Sequence, residues 1–221
     1  MGDKAQLSRI LITAGMLMFF AMLGTGLVAL TYSGTRTRVE ANERAVLLEE
    51  LKTLLPEGSY DNDIISDSGQ VQASALLGTK QPLTFYRARR QGQPVALLLT
   101  AVAPDGYSGE IKLLVGIRYD GTLTGVRVLE HHETPGLGDA IEERRSDWIT
   151  RFAGHSLTDP AASGWKVKRD GGVFDQFTGA TITPRAVVQA VHQCLLYFAQ
   201  NRETLFTSKG TDLNLSPAVG R

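Results

Sequence analysis

The sequence predicts an α+β domain, an antiparallel sheet packed with helices, preceded by one N-terminal transmembrane helix. Three observations carry that expectation. Ile10 to Leu30 is a run of 21 residues without a charge. Four β-rich runs follow one another between Thr84 and Leu129, the last two joined by Asp120-Gly121. A long apolar stripe at helical spacing then begins after Thr183-Pro184.

The uncharged run is interrupted only by Thr13, Thr25 and three glycines. As a helix it reaches about 31 Å, the thickness of a bilayer's hydrocarbon core. A cleaved signal peptide is the rival reading. The run exceeds the usual apolar region of about 7 to 15 residues, and Val28-Ala29-Leu30-Thr31 offers no small-x-small cleavage site, so an uncleaved anchor is expected. Orientation does not follow from charge, because Lys4 and Arg9 precede the span while Arg36, Arg38 and Arg44 follow it. Gly24-Thr25-Gly26-Leu27-Val28-Ala29 imitates a dinucleotide fingerprint, but it follows no strand and lies within the span. Ala21, Thr25 and Ala29 share one helix face, a spacing that permits close approach of another membrane helix.

Beyond the anchor, Leu47, Leu48, Leu51, Leu54 and Leu55 follow helical spacing until Pro56-Glu57-Gly58 ends the pattern. Residues 31–58 are thus a linker and an amphipathic helix, and Ser59 to Thr79 reads as loops with at most a short strand. Strands are expected at Thr84 to Arg89, Val95 to Val102, Glu110 to Tyr119 and Thr122 to Leu129, with turns at Gln91-Gly92-Gln93 and Asp120-Gly121. A four-stranded antiparallel sheet is the economical arrangement. Asp139 and Glu142 have capping-box spacing, which predicts a helix from about Ala140. Thr183 is the expected N-cap of the last helix, with Pro184 at its first position and Val187, Val188, Val191, Cys194, Leu195 and Phe198 as its buried stripe. Cys194 is therefore read as a small buried hydrophobe.

Composition removes several function classes. A 43% apolar and 21% charged chain is globular, and 23 basic against 23 acidic residues create no field for nucleic acid. Without the first 30 residues, 21 basic and 22 acidic ones remain. A single cysteine makes no disulfide, iron–sulfur or multi-thiolate zinc site. Adjacent His131 and His132 point different ways and lack a third spaced ligand, so no metal site is assigned. No Gly-x-Ser-x-Gly supports a hydrolase, and no catalytic residue is assigned.

The chemistry concentrates in Asp175-Gln176-Phe177-Thr178-Gly179-Ala180-Thr181-Ile182-Thr183-Pro184. Three threonines surround two small residues at a helix N-terminus, where free amides and the helix dipole favour a phosphate. The segment resembles the flavinylation motif of the covalent-FMN-binding family, in which Ser or Thr followed by Gly-Ala-Thr presents a threonine esterified to the phosphate of FMN. His132-Glu133-Thr134-Pro135-Gly136-Leu137-Gly138 resembles that family's second signature, and Gly106-Tyr107-Ser108-Gly109 with the strand after it resembles the third. With one anchor and this length, the pattern is similar to the G subunits of Rnf (Rsx) electron-transport complexes, and more distantly to the C subunits of sodium-pumping NADH:quinone oxidoreductases. The similarity runs from the anchor to about Phe198.

The resemblance implies FMN held by a phosphoester on Thr181. Asp175, Gly179 and Ala180 match the context read by a flavin transferase, Thr178 matches a supporting position, and Ile182 and Thr183 complete the motif. Glu133, Thr134, Pro135, Gly136, Leu137 and Gly138 are expected beside the flavin, where proline and glycine fix a tight turn. It further implies an electron relay that partners the other membrane and Fe–S or flavin subunits of an Rnf-type complex coupling NADH–ferredoxin electron transfer to ion translocation. On this reading residues 1–9 are cytoplasmic, 10–30 anchor the chain in a bacterial inner membrane, 59–205 form a periplasmic FMN-binding domain, and 206–221 are a C-terminal tail. The competing reading is an anchored periplasmic binding or sensor module that holds a free anionic ligand in the same loop.

Overall fold

The first α-helix runs without a break through the whole apolar segment and on into the folded domain. In this computed structural model, residues 2–55, 58–72 and 74–207 are described; Pro56 and Glu57 of the expected helix stop, and 208–221 of the expected tail, lie outside them. Helix α1 spans Gly2–Leu54, so the stretch expected as a linker before an amphipathic helix is helical and continuous with the anchor. Its membrane-crossing portion is Ile12–Tyr32, 21 residues of mean hydropathy 1.9 with none of it buried within the chain. Thr31 and Thr35 return their hydroxyls to the carbonyls of Leu27 and Thr31 at 2.9 and 2.8 Å, so both are satisfied within the helix.

The chain divides into two units, the first ending at Glu49 and the second beginning at Glu50. The second is a five-stranded antiparallel meander with strand order β1-β2-β3-β4-β5. The strands are β1 (Ser68–Val71), β2 (Leu83–Arg90), β3 (Gln93–Ala103), β4 (Ile111–Arg118) and β5 (Leu123–Glu130). The four expected strands are present within two residues of their expected ends. Gln91 and Gly92 both have positive φ, at 51° and 76°, as a two-residue hairpin loop requires. In the β4–β5 turn Gly121 has φ 94° and Asp120 accepts the Thr122 amide at 2.8 Å.

Both faces of this sheet are covered, which explains why β3 reads as a nearly continuous apolar run. On one face Leu97, Leu99, Ala101, Leu113, Val115 and Val126 join the main core with helix α2 (Ile182–Thr207). The other face receives the end of α1, where Leu51, Leu54 and Leu55 are buried. Leu98, Gly116 and Gly125 lie opposite one another on three neighbouring strands. The two glycines make room there: a Cβ on Gly125 would lie 2.9 Å from the Leu54 side chain.

Three sequence expectations are corrected. The sheet has a fifth strand, β1, whose Gly69 pairs with Phe85 and lies beneath its ring, a Cβ there falling 2.5 Å from Cζ. The helix expected from Ala140 is a short 3-10 turn, Gly138–Ile141. Its capping side chains are engaged elsewhere: Asp139 accepts the Gly136 amide at 2.8 Å, and Glu142 pairs with His131 at 2.8 Å. Helix α2 starts at Ile182, and the Arg185 amide bonds the Thr181 carbonyl at 3.3 Å, so Thr181 rather than Thr183 holds the N-cap position. Pro184 still lies in the first turn, where its missing N–H costs nothing.

The expected stripe of α2, Cys194 included, is buried, and burial pushes the Cys194 thiol pKa up. The C-terminal end of α2 is held by two guanidiniums. Arg87 Nε and Arg89 Nη2 donate to the carbonyls of Leu205 and Phe206, both at 2.6 Å, and both arginines also pair with Asp67. Between β5 and α2 the chain is mostly turns, consolidated by aromatic rings. Phe152 stacks on Phe174 at 4.7 Å and meets Trp148 edge-on at 5.3 Å; Trp148 meets Phe177 at 5.1 Å.

Phe152 is fully buried. Phe152→Ala is expected to destabilise the domain by about 3–5 kcal/mol, read from thermal or denaturant unfolding of the full chain in detergent. Val173→Ala, at a side chain 46% exposed, is expected to change stability by less than about 0.5 kcal/mol.

Candidate functional site

The segment before α2 is a tight turn. The Ala180 amide bonds the Phe177 carbonyl at 3.2 Å with Thr178 and Gly179 at the corners, and Gly179 has φ 83°, a conformation costly for any residue with a Cβ. Asp175 fixes the entrance to this turn. Its carboxylate bridges Lys168 Nζ at 2.6 Å and Arg151 Nη1 at 2.9 Å, and its carbonyl accepts Trp148 Nε1 at 2.7 Å. These cations, Lys168 first, hold its carboxyl pKa below the ordinary value.

A second loop, 131–138, folds back toward the same helix end. The Leu137 and Gly138 amides both bond the Thr134 carbonyl at 3.1 Å, and Gly136 has φ 80°, so Pro135-Gly136 turns the chain tightly as its composition predicts. A third, between β3 and β4, carries Tyr107. The three meet at Glu133, which is 5% exposed: its carboxylate accepts the Ser108 amide at 3.0 Å and the Thr183 hydroxyl.

Together they enclose a cavity of about 420 Å³ lined by Tyr107, Glu133, Thr134, Leu137, Gly138, Gly179, Ala180, Thr181, Ile182 and Thr183. That volume suits a cofactor-sized molecule, for which pockets run about 300–1,000 Å³. Its mouth exposes apolar surface: Tyr107 is 67% exposed and Leu137 and Ile182 are each 45% exposed. The amides of Ile182 and Thr183 open α2, whose positive end lies in the wall.

Nine of the thirteen residues singled out from sequence line this cavity. The other four, Asp175, Thr178, Pro135 and Gly136, are not among its lining residues and instead shape the two loops. The three threonines of the motif separate by environment. Thr183 is buried and its hydroxyl donates to Glu133; Thr178 is exposed and outside the cavity lining; Thr181 is half-buried, lines the cavity, and makes no side-chain hydrogen bond among the described residues. Tyr107 was not singled out, although its exposed ring belongs to the cavity wall. The available signal was an aromatic residue isolated in a Gly/Ser loop that matched a family signature.

His131 braces the second loop. Its Nδ1 accepts the Glu133 amide at 3.1 Å while Nε2 bonds Glu142 at 2.8 Å. Arg144, and then His131, hold the Glu142 carboxyl down at about 2.

The chain matches two family models, an RnfG N-terminal region over residues 1–54 and an FMN-binding domain over 106–196. The second contains every residue lining the cavity. Among curated relatives, the G subunit of the ion-translocating oxidoreductase complex of Pseudoalteromonas atlantica strain T6c is 52% identical over 192 residues, covering 87% of this chain and 89% of the relative. The protein of the same description from Pseudomonas aeruginosa strain UCBPP-PA14 is 52% identical over 203 residues, covering 92% and 95%. A crystal structure of the C subunit of Na(+)-translocating NADH-quinone reductase from Parabacteroides distasonis is 20% identical, covers 65% of this chain and 78% of its own, and has a TM-score of 0.46.

The depressed Glu142 carboxyl gives the 131–138 loop an acid dependence. A carboxyl lowered from its ordinary 4.5 to about 2 on folding contributes stability that is complete above about 4.5 and is lost as pH falls through about 2. Glu142→Gln is therefore expected to remove part of the stability loss between those pH values, measured by unfolding across an acid series.

Proposed function

Since the chain belongs to the family of G subunits of ion-translocating oxidoreductase complexes, we propose that it carries FMN as a phosphoester on Thr181 and serves as an electron relay of such a complex. The coarser statement follows from the family: a single-pass membrane flavoprotein of a redox-driven translocase. The observation that carries the finer one is the environment of Thr181. It alone of the motif threonines both lines the cavity and keeps its hydroxyl free of hydrogen bonds among the described residues. In the first turn of α2, amides and dipole stabilise a phosphate ester beside it.

Gly179 and Ala180 let a bulky group approach the backbone, and the exposed apolar surfaces of Tyr107, Leu137 and Ile182 suit a flat aromatic ring and exclude water from one side of it. When bound, FMN supplies one- and two-electron transfer. The chain's own contribution is attachment, burial and a fixed electrostatic surrounding. Asp175, held by Arg151 and Lys168, keeps the turn presented to a flavin transferase during maturation.

In this reading residues 59–205 are the FMN-binding domain, on the periplasmic side of a bacterial inner membrane. The relay works between the complex's other membrane and Fe–S or flavin subunits, and the complex couples electron transfer between NADH and ferredoxin to ion movement.

After co-expression with a flavin transferase, the full chain is expected to give a fluorescent band that survives a denaturing gel, with the adduct on Thr181 by peptide mass spectrometry. Thr181→Val should reduce that band to background while leaving the circular dichroism unchanged, and Thr178→Ser should keep it. An adduct on Thr178 or Thr183, or colour lost on denaturation as a freely held anion would be, overturns the assignment. A cytoplasm-active reporter fused after Arg221 should stay silent; strong activity overturns the orientation.

A further inference from the structure

Glu133 has no place in a phosphoester and is expensive where it stands. The residue is 5% exposed, and none of the described ion pairs of Lys, Arg or His includes it. A carboxylate buried without a cation gives up hydration that no opposite charge restores, and this one shares a cavity wall with the helix terminus proposed to hold a phosphate. Both oxygens are used: Oε1 accepts the Ser108 amide at 3.0 Å and Oε2 accepts the Thr183 hydroxyl. Neighbouring backbone comes close to it, since a Cβ on Gly138 would fall 2.6 Å from Oε2. A neutral glutamine could tie the same loops together at a smaller desolvation cost, so the retained charge calls for a second explanation.

We propose that Glu133 is the positioning residue of the pocket: it clasps the Tyr107 loop to the first turn of α2, and its fixed negative charge in the wall holds the reduction potential of the bound flavin down. The clasp rests on geometry alone, whereas the potential rests on the reading that this cavity holds FMN. The electrostatics have one sign. Adding electrons to a group beside a fixed negative charge in a low-dielectric wall is disfavoured, and removing that charge makes reduction easier.

The test uses the full chain in detergent, flavin-loaded and unloaded, with Glu133→Gln and Glu133→Ala. In Glu133→Gln, attachment should persist, the flavin should be reduced at a higher potential in a spectroelectrochemical titration, and the visible spectrum should shift. In the unloaded chain, hydrogen exchange of the peptide containing Ser108 should rise about tenfold or more in Glu133→Ala, and stay within about threefold of the unsubstituted chain in Glu133→Gln, which retains an acceptor. An unchanged potential in loaded Glu133→Gln overturns the electrostatic role. Unchanged exchange in folded Glu133→Ala overturns the clasp; if that variant does not fold, a rise beyond threefold in Glu133→Gln does so. Absence of an adduct on Thr181 in the unsubstituted chain overturns the flavin reading and the potential with it, and the exchange result on unloaded protein then still decides the clasp.

Discussion

A single buried carboxylate is the point through which three separate stretches of chain become one site. Glu133 accepts from the loop between β3 and β4 and from the first turn of α2, while its own backbone belongs to the 131–138 loop. Burying such a group requires that its acceptors be satisfied, because an unpaired polar atom in a protein interior costs as much as several ordinary contacts supply. The surrounding sequence follows from that requirement. Glycine stands at 138, where a Cβ would fall 2.6 Å from the carboxylate, while Gly106 is required chiefly by the Gly109 carbonyl, 2.2 Å from where its Cβ would lie. A threonine stands at 183, where its hydroxyl is needed as a donor and not as a cap. His131 takes the Glu133 amide on one ring nitrogen and spends the other on Glu142, so the loop is braced from behind as well.

The clasp acts on a helix that is anchored along its length. Its middle is packed on the sheet through Val187, Val191, Cys194, Leu195 and Phe198, all buried. Its far end is gripped by Arg87 and Arg89, whose guanidiniums take the last carbonyls and are themselves fixed by Asp67. The helix is thus tied at both ends to the strands beneath it, to β2 at one end and through Glu133 to the chain before β4 and after β5 at the other. A site borne on such an element keeps its geometry better than one borne on loops alone, which suits the phosphate proposed to sit against the first amides of α2.

How legible this was in the sequence differed by the kind of signal. The four central strands could be read because apolar content and turn chemistry agree, Gln91-Gly92 and Asp120-Gly121 both delivering the positive φ that hairpins need. Strand β1 was legible only as a short strand among loops and not as a fifth member of the sheet, since Ser68-Gly69-Gln70-Val71 has little strand propensity and pairs with β2 under the Phe85 ring. The start of α2 was misplaced by two residues because threonine before proline imitates a cap; which threonine caps was decided by the distant carboxylate that occupied Thr183. Asp139 and Glu142 misled for the same reason, each being drawn to a partner outside its own turn. The local threonine motif falls at the cavity wall, whereas Tyr107 reaches that wall on a loop tied to it across 25 positions of chain, between Ser108 and Glu133.

The same charges bear on the proposed phosphoester to Thr181. Among the described residues its lining contains no lysine or arginine and one carboxylate. The nearby cations are committed elsewhere, Lys168 and Arg151 to Asp175 and Arg185 to Asp170 in a two-pronged pair at 2.7 and 3.0 Å. What remains for a phosphate is the end of one helix, worth about 0.3–1 kcal/mol at an exposed site and about 2 kcal/mol in a partly buried one. Against a bound anion stands the unneutralised Glu133 in the same wall. Each tenfold in affinity takes about 1.4 kcal/mol, so the helix terminus supplies between a fraction of one decade and about one and a half. Apolar contact with Tyr107, Leu137 and Ile182 adds to this, but the cavity is open and those side chains stay half-exposed or more. A wall that is weak for anions and fixed in charge fits the proposed retention by a bond to Thr181, because retention by a bond would not compete with electrostatics, and it leaves the negative charge for the role proposed for Glu133.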